Sequence, residues 1–321
     1  MDIFLYILSN NIAPMFLLII VGFLLGRFRK MDVKTLSATI INVLIPGNII
    51  VRLYKADFDI SLLKTLIYSL VFIALCAGLG FVISKLRRFS PKKTAVFIES
   101  QMFYNSGNFG LPLIILVFSN APFIVNGEAI YLDYAVAAQT IVMSVQSLLT
   151  ASGCYAMNGS GNGSFKDAVK RGLKLPIIYV IPLVFLMKAI PYDFTGFFLW
   201  PSAEFACDAL VAVSLVTVGI QFSNSKLKNF GVDSLLSNLA RLVVCPVIAF
   251  FLIKLFGISG LLAQVLLISS SVPTALMVAL ISVECDCESD YVAQTVLSCM
   301  LICPITLSVV VYLARILFPI V

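Results

Sequence analysis

The sequence predicts an all-α polytopic membrane protein: ten transmembrane helices in two inverted five-helix repeats, with the fourth and ninth helices broken. Three observations carry this. The chain is 60% hydrophobic and 12% charged, with a mean hydropathy of +1.05, which leaves too little polar surface for an aqueous domain. Its apolar residues fall into ten runs of the length a helix needs to cross a bilayer, roughly 20 residues. Two of those runs are interrupted, at Tyr104-Asn105-Ser106-Gly107-Asn108-Phe109-Gly110-Leu111-Pro112 and at Ser269-Ser270-Ser271-Val272-Pro273-Thr274. Their prolines lie half a chain length apart.

The expected spans are 6–26, 35–54, 61–84, 94–124, 129–154, 173–190, 200–222, 232–256, 259–283 and 291–318. The first follows Met1-Asp2 with no basic segment and no small-residue cleavage signal, so it reads as a retained span. The second carries a polar kink, Asn42, Pro46, Gly47 and Asn48. In the fourth, Gly107, Gly110 and Pro112 break a helix at a depth where lipid offers no partner to a freed N–H or C=O, so protein or water must supply one. Gln139 and Gln146 on the fifth are seven apart, hence on one face, and suit inter-helix hydrogen bonds worth roughly 1 kcal/mol or less each. The sixth is short and holds Pro176 and Pro182. On the seventh, Glu204 and Asp208 are four apart and share a face, and Gly219-Ile220-Gln221 follows. The eighth carries Arg241 and Pro246, the ninth is the second broken run, and the tenth carries Gln294 and Ser298.

Charge sets the expected orientation. Of 22 basic residues, fifteen lie in the loops after spans one, three, five and seven, which the positive-inside rule places in the cytoplasm, so both termini are expected outside. The acidic run Glu284, Asp286, Glu288 and Asp290 lies on the same side with no basic residue. The only low-complexity stretch, Met157-Asn158-Gly159-Ser160-Gly161-Asn162-Gly163-Ser164, falls at the midpoint. It separates a first repeat, 1–155, from a second, 173–321, through a flexible cytoplasmic linker, 156–172. Five being odd, the second half enters the membrane from the opposite side, which is the inverted-repeat condition. Pro14 and Pro176 repeat nearly the spacing of Pro112 and Pro273.

Composition also excludes. Histidine is absent, which removes imidazole relays, His-ligated metals and Ser/His or Cys/His nucleophiles. Six of the eight cysteines fall in apolar runs as small hydrophobes, and Cys285-Asp286-Cys287 has no second pair to complete a metal site. The net charge of +6 resides in short loops without a basic aromatic patch, so no nucleic-acid partner is expected. Neither a cofactor nor a metal is called for, and no residue is assigned a catalytic role.

Around the broken helices, paired interruptions in corresponding halves mark the expected binding site of a transporter. Asn105, Ser106 and Asn108 offer uncharged donors and acceptors to one cavity, with Gly110 and Pro112 beside them and Ser271, Pro273 and Thr274 opposite. Asn42 and Pro46 join the candidate substrate-binding set. Pro112 and Pro273 are each placed at the start of a second half-helix, where free N–H groups and the dipole favour an anionic group. Arg241 reads equally as a substrate counter-charge or as a side chain reaching inner headgroups. Asp208 and Glu204 form a coupling-ion or proton site, or else a solvated outer pair. Glu99 is read as a shallow, solvated entrance residue.

Asn105-Ser106-Gly107-Asn108-Phe109-Gly110-Leu111-Pro112 resembles the N-[ST]-G-x-x-G-x-P crossover motif of the auxin efflux carrier family. Asn42 with Leu44-Ile45-Pro46 resembles its second-helix proline motif. Pro273-Thr274-Ala275, Gly219 with Gln221, and Arg241 with Pro246 are similar to its later signatures, in order over essentially the whole chain. Plant members carry a long hydrophilic central loop, which this chain lacks, so it resembles a compact microbial member of the malate or malonate permease kind. The resemblance implies two inverted repeats split into a scaffold and a transport domain, with helices four and nine crossing at the site. The expected function is a secondary transporter, an efflux carrier or permease moving small organic anions, carboxylates above all, across the cell membrane by alternating access. The alternatives are a cation or proton exchanger of similar fold and, more remotely, an intramembrane enzyme. The expected partners are a small anionic substrate and membrane lipids; a homodimer is admitted but not required.

Overall fold

The computed structural model describes residues 2–29, 31–57, 61–158, 173–224 and 231–320 of the 321. Their regular structure is helical, and the only strand-like pairings among them are two isolated bridges. In chain order the helices are α1 (Phe4–Phe28), α2 (Val33–Lys55), α3 (Leu62–Leu86), α4 (Pro91–Met102), α5 (Ser106–Phe118), α6 (Leu132–Met157), α7 (Ile177–Ala189), α8 (Trp200–Ser223), α9 (Val232–Leu255), α10 (Gly260–Ser270), α11 (Leu276–Glu284) and α12 (Ser289–Leu317). Seven of them, α1, α2, α3, α6, α8, α9 and α12, are long and apolar enough to cross a membrane. The expected fourth and ninth spans are each two helices, α4 with α5 and α10 with α11. The expected linker lies outside the described residues from 159 onward.

Four of the helices contain one wide π turn, and all four turns end two residues before a proline. The turns are Leu8–Ile12 before Pro14, Ile40–Leu44 before Pro46, Ser106–Gly110 before Pro112 and Ala240–Val244 before Pro246. Proline has no N–H to donate, and its ring collides with the carbonyl four residues back. Admitting one extra residue into the preceding turn moves that carbonyl aside, so the helix continues past the proline.

Two groups of helices pack among themselves. In the first, α8 lies along α1 and α2, and α7 lies on α2. The α1–α8 approach is backbone to backbone: a Cβ on Gly219 would sit 2.0 Å from the Ile19 carbonyl oxygen, and one on Gly22 2.1 Å from that of Val216. In the second group α3 packs on α4 and α6, α5 and α10 pack on α6, and α12 packs on α9 and α10. The groups meet where α2 faces α6, where α8 faces α5 and where α1 faces α12, and at the first of these Arg52 pairs with Asp133 at 3.0 Å. Large apolar side chains such as Leu17, Leu63, Phe205, Phe251 and Ile305 stand exposed around the outside, the surface a bilayer covers.

Candidate functional site

The polar residues of the two broken runs meet at one point. α4 ends at Met102 and α5 starts at Ser106, while α10 ends at Ser270 and α11 starts at Leu276. Between them the two unwound linkers lie antiparallel, with Tyr104 opposite Thr274. The Asn105 N–H donates to the Pro273 carbonyl at 2.9 Å, and the Ala275 N–H donates to the Phe103 carbonyl at 3.0 Å. The Thr274 hydroxyl donates to the Ser100 carbonyl at 3.0 Å. Each break thus supplies partners for the backbone groups freed by the other, as a structure in lipid requires.

Arg241 completes the crossing. Its side chain is fully buried; Nε donates to the Val272 carbonyl at 3.1 Å, Nη1 to that of Gln101 at 3.0 Å, and Nη2 to that of Ser270. These carbonyls belong to the last turns of α4 and α10 and to the linker between α10 and α11, so one guanidinium fork binds the negative ends of two half-helix dipoles. It also lies over the Tyr104 ring, 4.5 Å from its centroid. From α6, Gln139 Nε2 donates to the Ser106 carbonyl at 2.7 Å and Gln146 Nε2 to that of Met102 at 3.2 Å. Gly110 is a glycine because a Cβ there would stand 2.9 Å from that Gln139 nitrogen.

A cavity of ≈ 240 Å³ opens against this crossing. One wall is Tyr104 to Asn108, Ala275 to Met277, and the α6 residues Met143, Gln146, Ser147 and Thr150. The other is Ser37, Ile41 and Ile45 of α2, Gln221 of α8, and Leu175 to Ile177 where α7 begins. The cavity therefore lies between the two packing groups, and none of the described residues lining it carries a charge. The first bond of α5 closes from the Gly110 N–H to the Asn105 carbonyl, so the Gly107 and Asn108 N–H groups precede it at the cavity wall. Leu276 and Met277 hold the same position on α11. Two helix N-termini thus face one space with unspent donors. Asn105, the N-cap of α5, makes no side-chain cap bond, and its buried Nδ2 has no hydrogen-bond partner.

Asn105, Ser106 and Asn108 therefore line the cavity as the sequence suggests. Several other expected positions do not. Arg241 is neither a counter-charge in the cavity nor a headgroup anchor, because its donors are turned onto the crossing carbonyls. Asn42 is exposed and donates to the Ala38 carbonyl at 2.8 Å, while Ser37, Ile41 and Ile45, on another face of α2, form the wall; Pro46 is absent from it. Ser271 donates to the Leu267 carbonyl at 2.7 Å, and Thr274 and Pro273 are spent on the crossing itself. Pro112 is buried within α5, six residues past its start, and Pro273 lies in the unwound linker, so neither opens its half-helix. Glu204 accepts from Trp200 Nε1 at 2.9 Å and lies 3.6 Å from Lys55, and Asp208 is exposed on α8. Neither acid reaches the cavity. Glu99 is fully buried, not solvated. Of the residues with only packing as their default reading, Gln146 and Gln221 prove to line the cavity; Ser37, Ser147 and Thr150 carried no signal beyond being polar residues in apolar runs.

The family model described as membrane transport protein matches residues 7–169 and 165–311 of the chain. An uncharacterised transporter of Methanocaldococcus jannaschii is 23% identical over 290 residues, 87% of this chain and 90% of that protein. One of Methanothermobacter thermautotrophicus is 22% identical over 297 residues, 90% of this chain and 92% of that protein. With the crossover motif in place and the matches running along nearly its whole length, the chain belongs to the membrane transport protein family, that of the auxin efflux carriers.

Proposed function

We propose that the protein is a secondary carrier for small organic anions, binding a carboxylate at the crossing of the two broken helices and releasing it by alternating access. The observation that carries this reading is the buried, unpartnered Asn105 Nδ2 at the cavity wall, flanked by two helix N-termini. A carboxylate accepts from several N–H donors at once and is favoured at the positive end of a helix dipole. The absence of any lysine or arginine from the wall among the described residues, and the weight of Ile41, Ile45, Met143 and Leu276 on it, favour a single carboxylate on an apolar body over a dicarboxylate. A cation exchanger of this architecture needs an acid at the crossing, and the described residues lining the cavity include none.

On this reading α4 with α5 and α10 with α11 each make one span, giving ten spans in two inverted repeats. The group built around α6 carries the crossing, and α1, α2, α7 and α8 form the frame against which it moves in the cell membrane, with both termini outside. The cavity walls come from the ends of α6 and α8 and the starts of α2 and α7, all at loops assigned to the cytoplasm, so the described state is open inward. The test is a counterflow screen in liposomes containing the purified protein, across aromatic and aliphatic monocarboxylates, dicarboxylates and amino acids. Exchange of monocarboxylates in preference to the others supports the proposal, and exchange of cations or amino acids alone refutes it.

A further inference from the structure

Among the described residues, Glu99 is the one carboxyl group sealed inside the helix group that carries the crossing. It stands one turn before the end of α4, six residues ahead of Asn105 on the same broken helix, and is 0% exposed. Oε2 accepts from Asn158 Nδ2 at 3.3 Å, and Oε1 has no hydrogen-bond partner. The described ion pairs are Arg52–Asp133, Lys55–Glu204, Arg87–Asp233 and Lys93–Asp233, and none involves it.

Among the described residues, the titratable groups brought near it by its neighbours do not supply a counter-charge. Cys154 comes from α6, and Cys285 and Cys287 come from the turn between α11 and α12; Glu284 accepts from Tyr155 of α6. Lys92, on α4 itself, and Glu288 act on Cys287, whose thiol donates to the Lys92 carbonyl. From α9, Asp233 is held by Arg87 and Lys93 while Arg241 is spent on the crossing, and from α12 Tyr291 donates to the Asp233 carbonyl. α3 contributes Ser84, which is buried and uncharged.

A carboxylate with only neutral donors, the Asn158 amide and the Cys154 thiol, and no cation paired with it among the described residues is costly to hold away from water, and a bound proton removes that cost. We infer that Glu99 is the proton-binding site of the carrier, and that the protein moves an organic anion together with a proton. The inference rests on the carrier reading above. An anion beside Asn105 disfavours a second negative charge six residues away on the same moving unit, so acid and proton each favour binding of the other. The proton joins a Glu99 carboxyl oxygen from water on one side and leaves to water on the other, and no bond of the substrate changes. One monocarboxylate with one proton crosses without net charge.

The test uses the purified full-length protein, without substrate, in infrared difference spectra taken between alkaline and acidic buffers. Wild type is expected to show a carboxylic C=O band that titrates reversibly and is lost in Glu99→Gln. Asn158→Ala, which removes the amide donor to the ionised carboxyl, is expected to shift the midpoint of that band to higher pH, and it serves where Glu99→Gln does not fold. A spectrum with no titrating band dependent on Glu99 or Asn158 overturns the inference. Binding of phenylacetate and of malonate is then measured across pH values at which each stays in one ionisation state. Affinity that rises toward acidic pH in wild type and is flat in Glu99→Gln is the expected result, and flat affinity in wild type overturns the coupling. If the band titrates as expected and neither acid binds, the proton site stands and the carboxylate reading falls.

Discussion

Replacing Asn105 by alanine separates binding from stability. Its side chain caps no N–H of α5 and its Nδ2 bonds to nothing, while its backbone N–H holds the crossing at the Pro273 carbonyl and its own carbonyl closes the first turn of α5. Alanine keeps the backbone bonds and removes only the free donor. One hydrogen bond to a charged group is worth about 1.5–3 kcal/mol, so carboxylate affinity is expected to fall roughly ten- to a hundredfold. The melting temperature in detergent should stay close to that of wild type. Aspartate at the same position gives opposite signs in the two readouts: a carboxylate in the first turn of α5 favours the helix by about 0.3–1 kcal/mol, yet it repels an anion held by the same dipole. Calorimetry with the acid found in the counterflow screen, run beside thermal melts, tests both. Full carboxylate affinity in Asn105→Asp together with a silent Asn105→Ala would refute the assignment of the site.

Other substitutions probe the parts that hold the site. Arg241→Leu leaves three buried carbonyls without their donor and is expected to cost at least about 3 kcal/mol, with Arg241→Lys restoring only part of it because an ammonium has no fork; thermal melts of the two variants measure this. Gln146→Leu removes the bond to the Met102 carbonyl and a donor from the cavity wall, so a loss of about 1 kcal/mol in stability should accompany weaker binding in the same samples. Gly219→Val drives a side chain into the backbone of α1 and should destabilise by about 1–3 kcal/mol or more, whereas Gly78→Ala, where a Cβ meets nothing within 4 Å, should be silent in the same melts.

The breaks in the fourth and ninth runs were readable because glycine, proline, serine and asparagine are costly in apolar helices and seldom cluster there unless the helix unwinds. The shared face of Gln139 and Gln146 was readable from spacing alone, and the structure spends both side chains on the freed backbone. Three things were not readable. The depth of Arg241 follows from the sequence but the direction of its side chain does not, since the carbonyls it binds are remote in sequence. The lining face of α2 runs through Ser37, Ile41 and Ile45 across the π turn Ile40–Leu44, and a regular 3.6-residue period gives no warning of that turn. Glu99 lies near the end of its run and so reads as solvated, but the end of α6 and the turn after α11 cover it. The matched spacing of Pro112 and Pro273 misleads in detail, because one follows a π turn and the other sits in unwound chain.

The reciprocal bonds at the crossing bear on how the protein is made. When the chain as far as α6 has left the ribosome, the Phe103 carbonyl and the Asn105 N–H have no strand to meet, because Ala275 and Pro273 are not yet synthesised. The guanidinium of Arg241 arrives earlier, and until α10 follows it can bind only the Gln101 carbonyl among its three acceptors. At a chain growth of about 5–20 residues per second, the first break waits many seconds beside lipid or water for its partner. The crossing is therefore among the last parts of the molecule to close, and a nascent chain stopped before Pro273 presents an unfinished helix break to the insertion machinery and to membrane proteases.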